Sequence, residues 1–251
     1  MTGVRTVLVL AMLGCSSPPP APKGTALADG VSAERIAFAG ATFDVVTVDL
    51  DRARVRALAR DAAGAPIGRF GRLRERVGPT LVAATNAGIF EPGLVPTGLF
   101  VADGVEIAPL NTAAGEGNFY LAPNGVFAVD DAGAWIAATA EFRSEARRPR
   151  QATQSGPLLV SHGAIHAAFQ PDSTSAVVRN GVGVISPRRI ALVISRSPVN
   201  LYTFARFLRD QLGCRDALYL DGTISGLYIP SAGGQDLDRG PFAGFLAIER
   251  P

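Results

Sequence analysis

Three apolar runs in this chain break off at small polar clusters. Thr80–Thr85 runs into Asn86-Ala87-Gly88, Val177-Val178 into Arg179-Asn180-Gly181, and Ala217–Leu220 into Asp221-Gly222-Thr223. A buried strand that ends in Asn, Asp or Arg beside glycine turns a polar side chain toward a cleft and lets backbone approach closely. Asn-Gly and Asp-Gly are also the commonest turn pairs, so each cluster taken singly reads better as a turn.

Familiar catalytic patterns are absent. Gly222-Thr223-Ile224-Ser225-Gly226 has the wrong spacing for a nucleophile elbow, and two histidines, His162 and His166, leave few bases for a Ser-His-Asp triad. That disfavours a protease or esterase. The two histidines are four apart, but Gly163 lies between them in an expected hairpin, so they do not stack on one helix face as a zinc pair. No glycine-rich phosphate loop follows a strand, so nucleotide binding has no support. Lys+Arg 24 against Asp+Glu 22, spread along the chain without a basic stripe, argues against a nucleic-acid partner.

The elements that must position these residues are mostly strands. Thr42–Leu50 carries apolar residues in both registers, and Val55, Ala57 and Ala59 alternate with Arg54, Arg56 and Leu58 as in a half-solvated strand. Hairpin turns are expected at Asp103-Gly104, Asn124-Gly125 and His162-Gly163. Two helices are expected. Val199–Leu212 has Asn200 at its start and Gly213 at its stop, and Ile67–Val77 has Arg69, Arg72, Arg74 and Arg76 on a solvated face. Many strands and few helices, without regular alternation, predict an α+β single domain with a mixed or antiparallel sheet core and a few packed helices.

The N-terminus resembles a bacterial lipoprotein signal. Arg5 precedes the apolar segment Val7–Leu13, far short of the ~20 residues of a spanning helix, and Gly14-Cys15-Ser16-Ser17 follows. The expected organisation is a signal peptide at 1–14, a lipidated Cys15 with a Pro-rich tether at 15–35, and one folded domain at 36–251. That implies an extracytoplasmic protein held at the cell envelope by a lipid anchor. With Cys15 lipidated, Cys214 is the remaining thiol and reads as a small buried apolar residue.

Five strings in order carry a family resemblance: TNAGIFEPGLVPTGLFVADG (Thr85 to Gly104), GNFYLAPNGVFAV (Gly117 to Val129), QATQSGPLLV (Gln151 to Val160), RNGVGV (Arg179 to Val184) and LYLDGTISGLYIP (Leu218 to Pro230). Over roughly residues 36–250 the chain resembles the phosphodiester glycosidase family, in its compact bacterial branch. The resemblance implies hydrolysis of the bond from a sugar's anomeric carbon to a phosphodiester, on a glycan or sugar-phosphate substrate. It implies no cofactor and leaves a structural divalent metal open.

Such a reaction needs a carboxylate to activate water or trap an oxocarbenium-like carbon. It also needs a guanidinium that holds the phosphate bidentately. Under the resemblance Asp221 is the first carboxylate, Glu91 the second, and Arg179 the phosphate clamp. Asn86, Asn180, Gln154, Ser155 and Ser225 supply hydrogen bonds to sugar or phosphate. Each has a plainer reading. Asp221 suits closure of its own turn, Glu91 an exposed loop, and Arg179 a structural ion pair. Asn86 and Asn180 suit left-handed backbone, Gln154 and Ser155 the scaffold, and Ser225 a turn hydroxyl. A lipid-tethered glycan-binding or scaffold protein without turnover is the alternative. Convergence of these side chains on one cleft is what separates the two.

Overall fold

The computed structural model describes residues 24–232 and 240–251. Cys15 and the expected signal peptide lie outside the described residues. The largest sheet has eight strands, in the spatial order Thr25–Ala28, Val31–Phe38, Ala41–Asp49, Arg189–Ser195, Asn180–Ser186, Asp216–Asp221, Leu158–Ser161 and Ala164–Ile165. A four-stranded sheet runs Leu227–Tyr228, Leu81–Asn86, Phe245–Glu249, Arg54–Leu58. A five-stranded sheet runs Gly133–Ala138, Gly125–Asp130, Gln151–Ser155, Phe100–Ala102, Val105–Ala108. Every strand pairing among the described residues is antiparallel.

The two-residue period of a strand explains why both registers of Ala41–Asp49 are apolar. Val46 and Val48 join Val182, Leu192, Leu218 and Leu220 in a core shared with Ala83, Leu246, Ile248, Phe100 and Phe127 of the smaller sheets. Phe43 and Val45 face the other way, into a second core with Val193, Tyr219, Phe204 and Phe207. Phe43 stacks on Phe207 with ring centroids 3.9 Å apart. Burying each such large apolar side chain contributes on the order of 2 kcal/mol, so the large sheet is held by both its faces.

The helix over that second face runs Leu201–Arg206 and passes into a π-helical turn, Phe207–Gln211. Asn200 caps it, its side chain accepting the Thr203 N–H at 2.8 Å, and Gly213, at φ +70°, lies just beyond its end. The other long helix is Phe70–Val77, shorter than the expected Ile67–Val77. Gly68 has φ +71° and bridges to Phe242, which holds the chain extended before the helix starts.

Asp103-Gly104 and His162-Gly163 make hairpin turns with positive φ at both residues, the twist-matched geometry for two-residue loops. Ala39-Gly40 does the same between Val31–Phe38 and Ala41–Asp49. Asn124-Gly125 does not turn a hairpin. Gly125 opens a strand, while Asn124 donates its side-chain N–H to Phe119 O at 2.8 Å and so braces the loop before it. Residues 25–35, expected within the tether, are folded instead. Thr25–Ala28 and Val31–Phe38 pair with each other, and Leu27, Val31 and Ala33 pack on the core. Cys214 is buried and burial pushes its thiol up to about 12, which keeps it inert. The whole is a single sheet-rich α+β domain.

Candidate active site

The site grows from the end of one central strand. Along Asp216–Asp221, Leu218 and Leu220 point into the first core while Ala217 and Tyr219 point to the opposite side. Alternation puts Asp221 on the side of Tyr219. There the chain turns. Asp221 Oδ1 accepts the backbone N–H groups of Gly222 at 2.6 Å, Thr223 at 2.9 Å and Ile224 at 3.3 Å. Among the described residues Oδ2 has no hydrogen-bond partner. Asp221 is only 5% exposed, and burial pushes its carboxyl up to about 6 against the opposing pull of the three amides. Asp221 thus closes its own turn with one oxygen and keeps the other free.

A cleft of about 550 Å³ opens over this carboxylate. Glu91 and Thr97 line it from the ribbon Phe90–Glu91/Val95–Pro96, where the Thr97 hydroxyl donates to Glu91 Oε1 at 3.2 Å. Glu116, Asn118, Tyr120, Tyr219 and Thr223 add to its polar lining, and Ile89, Phe90, Phe119 and Ile224 supply apolar wall. Among the described residues three carboxylates and no lysine, arginine or histidine line it.

The other residues singled out in the sequence gather behind the cleft. Asn180 stands directly across from Asp221 in the strand pairing. Its Nδ2 reaches Thr85 Oγ1 and Asn86 Oδ1, each at 2.8 Å, and Asn86 O at 3.2 Å. This joins the eight-stranded sheet to the four-stranded one. Asn86 then holds the loop after Asp221: Nδ2 donates to Ile224 O at 3.1 Å and Oδ1 accepts from Gly226 N at 2.8 Å. The Thr85 hydroxyl donates to Gly226 O at 2.7 Å. Ser225 Oγ lies 2.9 Å from the Asp221 carbonyl and 3.2 Å from that of Val178, and Ser155 Oγ donates to Leu220 O at 3.1 Å. Gln154 binds backbone at Leu99 and Asn111 and the Thr139 hydroxyl. All five expected hydrogen-bonding residues are buried and bond to protein partners, and only Asn180 Oδ1 among their side-chain polar atoms is buried without one among the described residues.

Arg179 is also placed behind the cleft and does not line it. It is 1% exposed. Nε donates to Val199 O at 2.7 Å, Nη2 to Ser175 O at 2.8 Å and Nη1 to the Tyr219 hydroxyl at 2.9 Å. Among the described residues no carboxylate pairs with it. His166 is braced by Ala122 O at 3.0 Å and the Ala168 N–H at 3.2 Å, and burial lowers its pKa. Among the described residues no three His, Cys, Asp or Glu side chains group to hold a metal ion, and no helix is long and apolar enough to cross a membrane.

Sequence reading missed Tyr219, Glu116, Asn118 and Thr97. Tyr219 was recoverable, because it lies two residues before Asp221 in a strand. The others reach the cleft through loop and ribbon geometry that carries no period. A larger groove of about 640 Å³ lies at the opposite ends of the same strands. Arg56 in it pairs with Asp103 at 2.9 Å and with Glu249 at 3.3 Å, which makes it the weaker candidate for chemistry.

Fold and site together define a sheet-rich α+β protein with a buried carboxylate lining a cleft of mixed polar and apolar wall. The phosphodiester glycosidase family model matches residues 79–243, and the chain belongs to that family. It is 35% identical over 167 residues to the uncharacterized protein YigE of Escherichia coli K12; that stretch is 66% of this chain and 65% of the relative. The chain therefore spans a little under two thirds of that relative's length. The fold is similar to the zebrafish N-acetylglucosamine-1-phosphodiester alpha-N-acetylglucosaminidase catalytic domain auto-inhibited by its pro-peptide. The TM-score is 0.62 at 16% identity, covering 88% of this chain and 82% of that one. A hypothetical protein from Synechocystis shares the fold at TM-score 0.53 and 16% identity, over 88% of this chain and 62% of its own.

Proposed function

We propose that this chain hydrolyses a glycosyl phosphodiester, with Asp221 as its reacting carboxylate. The observation that carries the reading is the state of that side chain. One oxygen is fixed by three amides, the other is free, and the group lies at the floor of a cleft with its pKa pushed up to about 6. Such a carboxylate is ionised at neutral pH and is a stronger base than an exposed aspartate. It takes a proton from the attacking water, or itself bonds the anomeric carbon. The carbon–oxygen bond breaks with its electron pair going to the phosphate oxygen. A phosphate ester leaves without needing a full proton, so Glu91 across the cleft has the lesser part.

The substrate is a sugar-1-phosphodiester of an envelope or extracellular glycan. The protein is held at the envelope by lipid on Cys15, which gives it access to such polymers. A glycan-binding or scaffold protein without turnover is the second reading, and the bonds that Asn86, Asn180, Gln154, Ser155 and Ser225 make within the protein favour its scaffold form. The test is a panel of sugar-1-phosphodiesters against aryl glycosides and aryl phosphodiesters. Free sugar is expected to be released fastest from the first class, slowly from activated aryl glycosides, and no product is expected from aryl phosphodiesters. Binding of a sugar phosphodiester with no product in any class would leave the second reading.

A further inference from the structure

A phosphodiester is an anion, yet this cleft presents Glu91, Glu116 and Asp221 and, among the described residues, no cationic side chain. Behind the wall lies Arg179, a buried guanidinium without a carboxylate partner among the described residues. One side chain stands between that charge and the cleft. Tyr219 lines the cleft, and its hydroxyl oxygen accepts from Arg179 Nη1 at 2.9 Å.

We propose that the Tyr219 hydroxyl is the group that meets the substrate's phosphate, with Arg179 as the positioning residue that polarises it from behind. The proposal rests on the phosphodiester reading above. The Arg179 bond uses the phenol oxygen as acceptor, so the phenol's own proton is left to donate. Asn118, also on the cleft wall, lies beside the same phenol. Burial pushes the phenol up to about 12, so it carries that proton throughout the neutral range. A chain N–H···O–H···O–P passes the guanidinium's polarity to the anion, and hydrogen bonds in series strengthen one another.

Residue 222 fits this arrangement. A Cβ on Gly222 would collide with the Tyr219 hydroxyl oxygen, so only glycine leaves the phenol where it is. When the glycosidic bond breaks, negative charge on the phosphate grows. A donor placed there stabilises the transition state more than the ground state.

Tyr219→Phe keeps the ring in its core and removes only the hydroxyl. Deleting a hydrogen bond to a charged group predicts a ~10- to 100-fold loss of kcat/KM on a sugar-1-phosphodiester. On an aryl glycoside of the same sugar the loss is expected to be at least ~10-fold smaller, since that substrate has no phosphate to meet. Inorganic phosphate as a competitive inhibitor should weaken in parallel. Arg179→Gln should weaken phosphate by a similar factor, and the double variant should add little, because the two act as one relay. A folded Tyr219→Phe protein with unchanged phosphodiester turnover and phosphate inhibition overturns the proposal. So does an equal loss on both substrates, or an additive double variant. If the wild type turns over no phosphodiester, the proposed activity fails by itself. Binding of inorganic phosphate, followed by ³¹P line broadening, then decides the assignment: broadening by the wild type lost in Tyr219→Phe supports it, and equal broadening refutes it.

Discussion

Replacing Asp221 with asparagine removes a buried charge and keeps the oxygen that closes the turn. The folded protein holds the Asp221 carboxyl at about 6, against an ordinary value of 3.8. A folded-state pKa above the unfolded one means that folding favours the protonated acid. The ionised carboxylate therefore costs nothing below pH 3.8 and an increasing amount up to about pH 6, after which the cost is constant. The shift corresponds to about 3 kcal/mol. A side-chain amide in its place carries no such penalty and still accepts the N–H groups of Gly222 and Thr223. Asp221→Asn is thus expected to be more stable than the wild type by about 2–3 kcal/mol at pH 7.5 and by almost nothing at pH 4. Urea unfolding at pH 4, 5.5 and 7.5 measures it. The same variant should lose at least ~10²-fold in turnover, and wild-type turnover should rise with pH through about 6. Equal or lower stability of the variant at pH 7.5 would refute the buried-charge argument. A wild-type rate would remove Asp221 from the chemistry.

Glu91→Gln should lower kcat less than Asp221→Asn, because a phosphate leaving group asks little of an acid; steady-state kinetics on one phosphodiester orders the two. Asn180→Ala strips Thr85 and Asn86 of their shared donor and should lower stability by about 2–3 kcal/mol, read as a drop in thermal midpoint. Cys15→Ser should release the protein from the membrane fraction of its host; wild-type protein recovered wholly in the soluble fraction would end the lipid-anchor proposal.

The strand at Ala41–Asp49, the Asn200 cap and two of the three expected hairpin turns were legible because each depends on local pattern. The turn at Ala39-Gly40 was not, since alanine with positive φ carries no turn signature and tertiary pairing imposes it. The proline-rich start hid the two strands that begin at Thr25, whose short alternation is read only against their partner. At the site, position in the chain was legible and side-chain direction was not. Asp221 and Glu91, 130 residues apart, do line one cleft. Arg179 follows the same kind of apolar run, yet it turns inward, because three acceptors at Val199, Ser175 and Tyr219 wait there. Sequence names a guanidinium; only packing says which oxygens it meets.

Thr85, Asn86, Asn180 and Ser155 all lie within the strings by which this family is recognised, and all of them fasten strands or loops to one another. A descendant that abandoned turnover would still need them to fold, and its strings would survive almost intact. With Asp221 as the proposed reacting carboxylate, the trace of lost chemistry would be a neutral residue at position 221 and little else. Because the ionised carboxylate there is a cost to folding at neutral pH, that change runs downhill. Random mutation alone would carry such a lineage from enzyme to inert scaffold unless selection for the reaction held Asp221 in place.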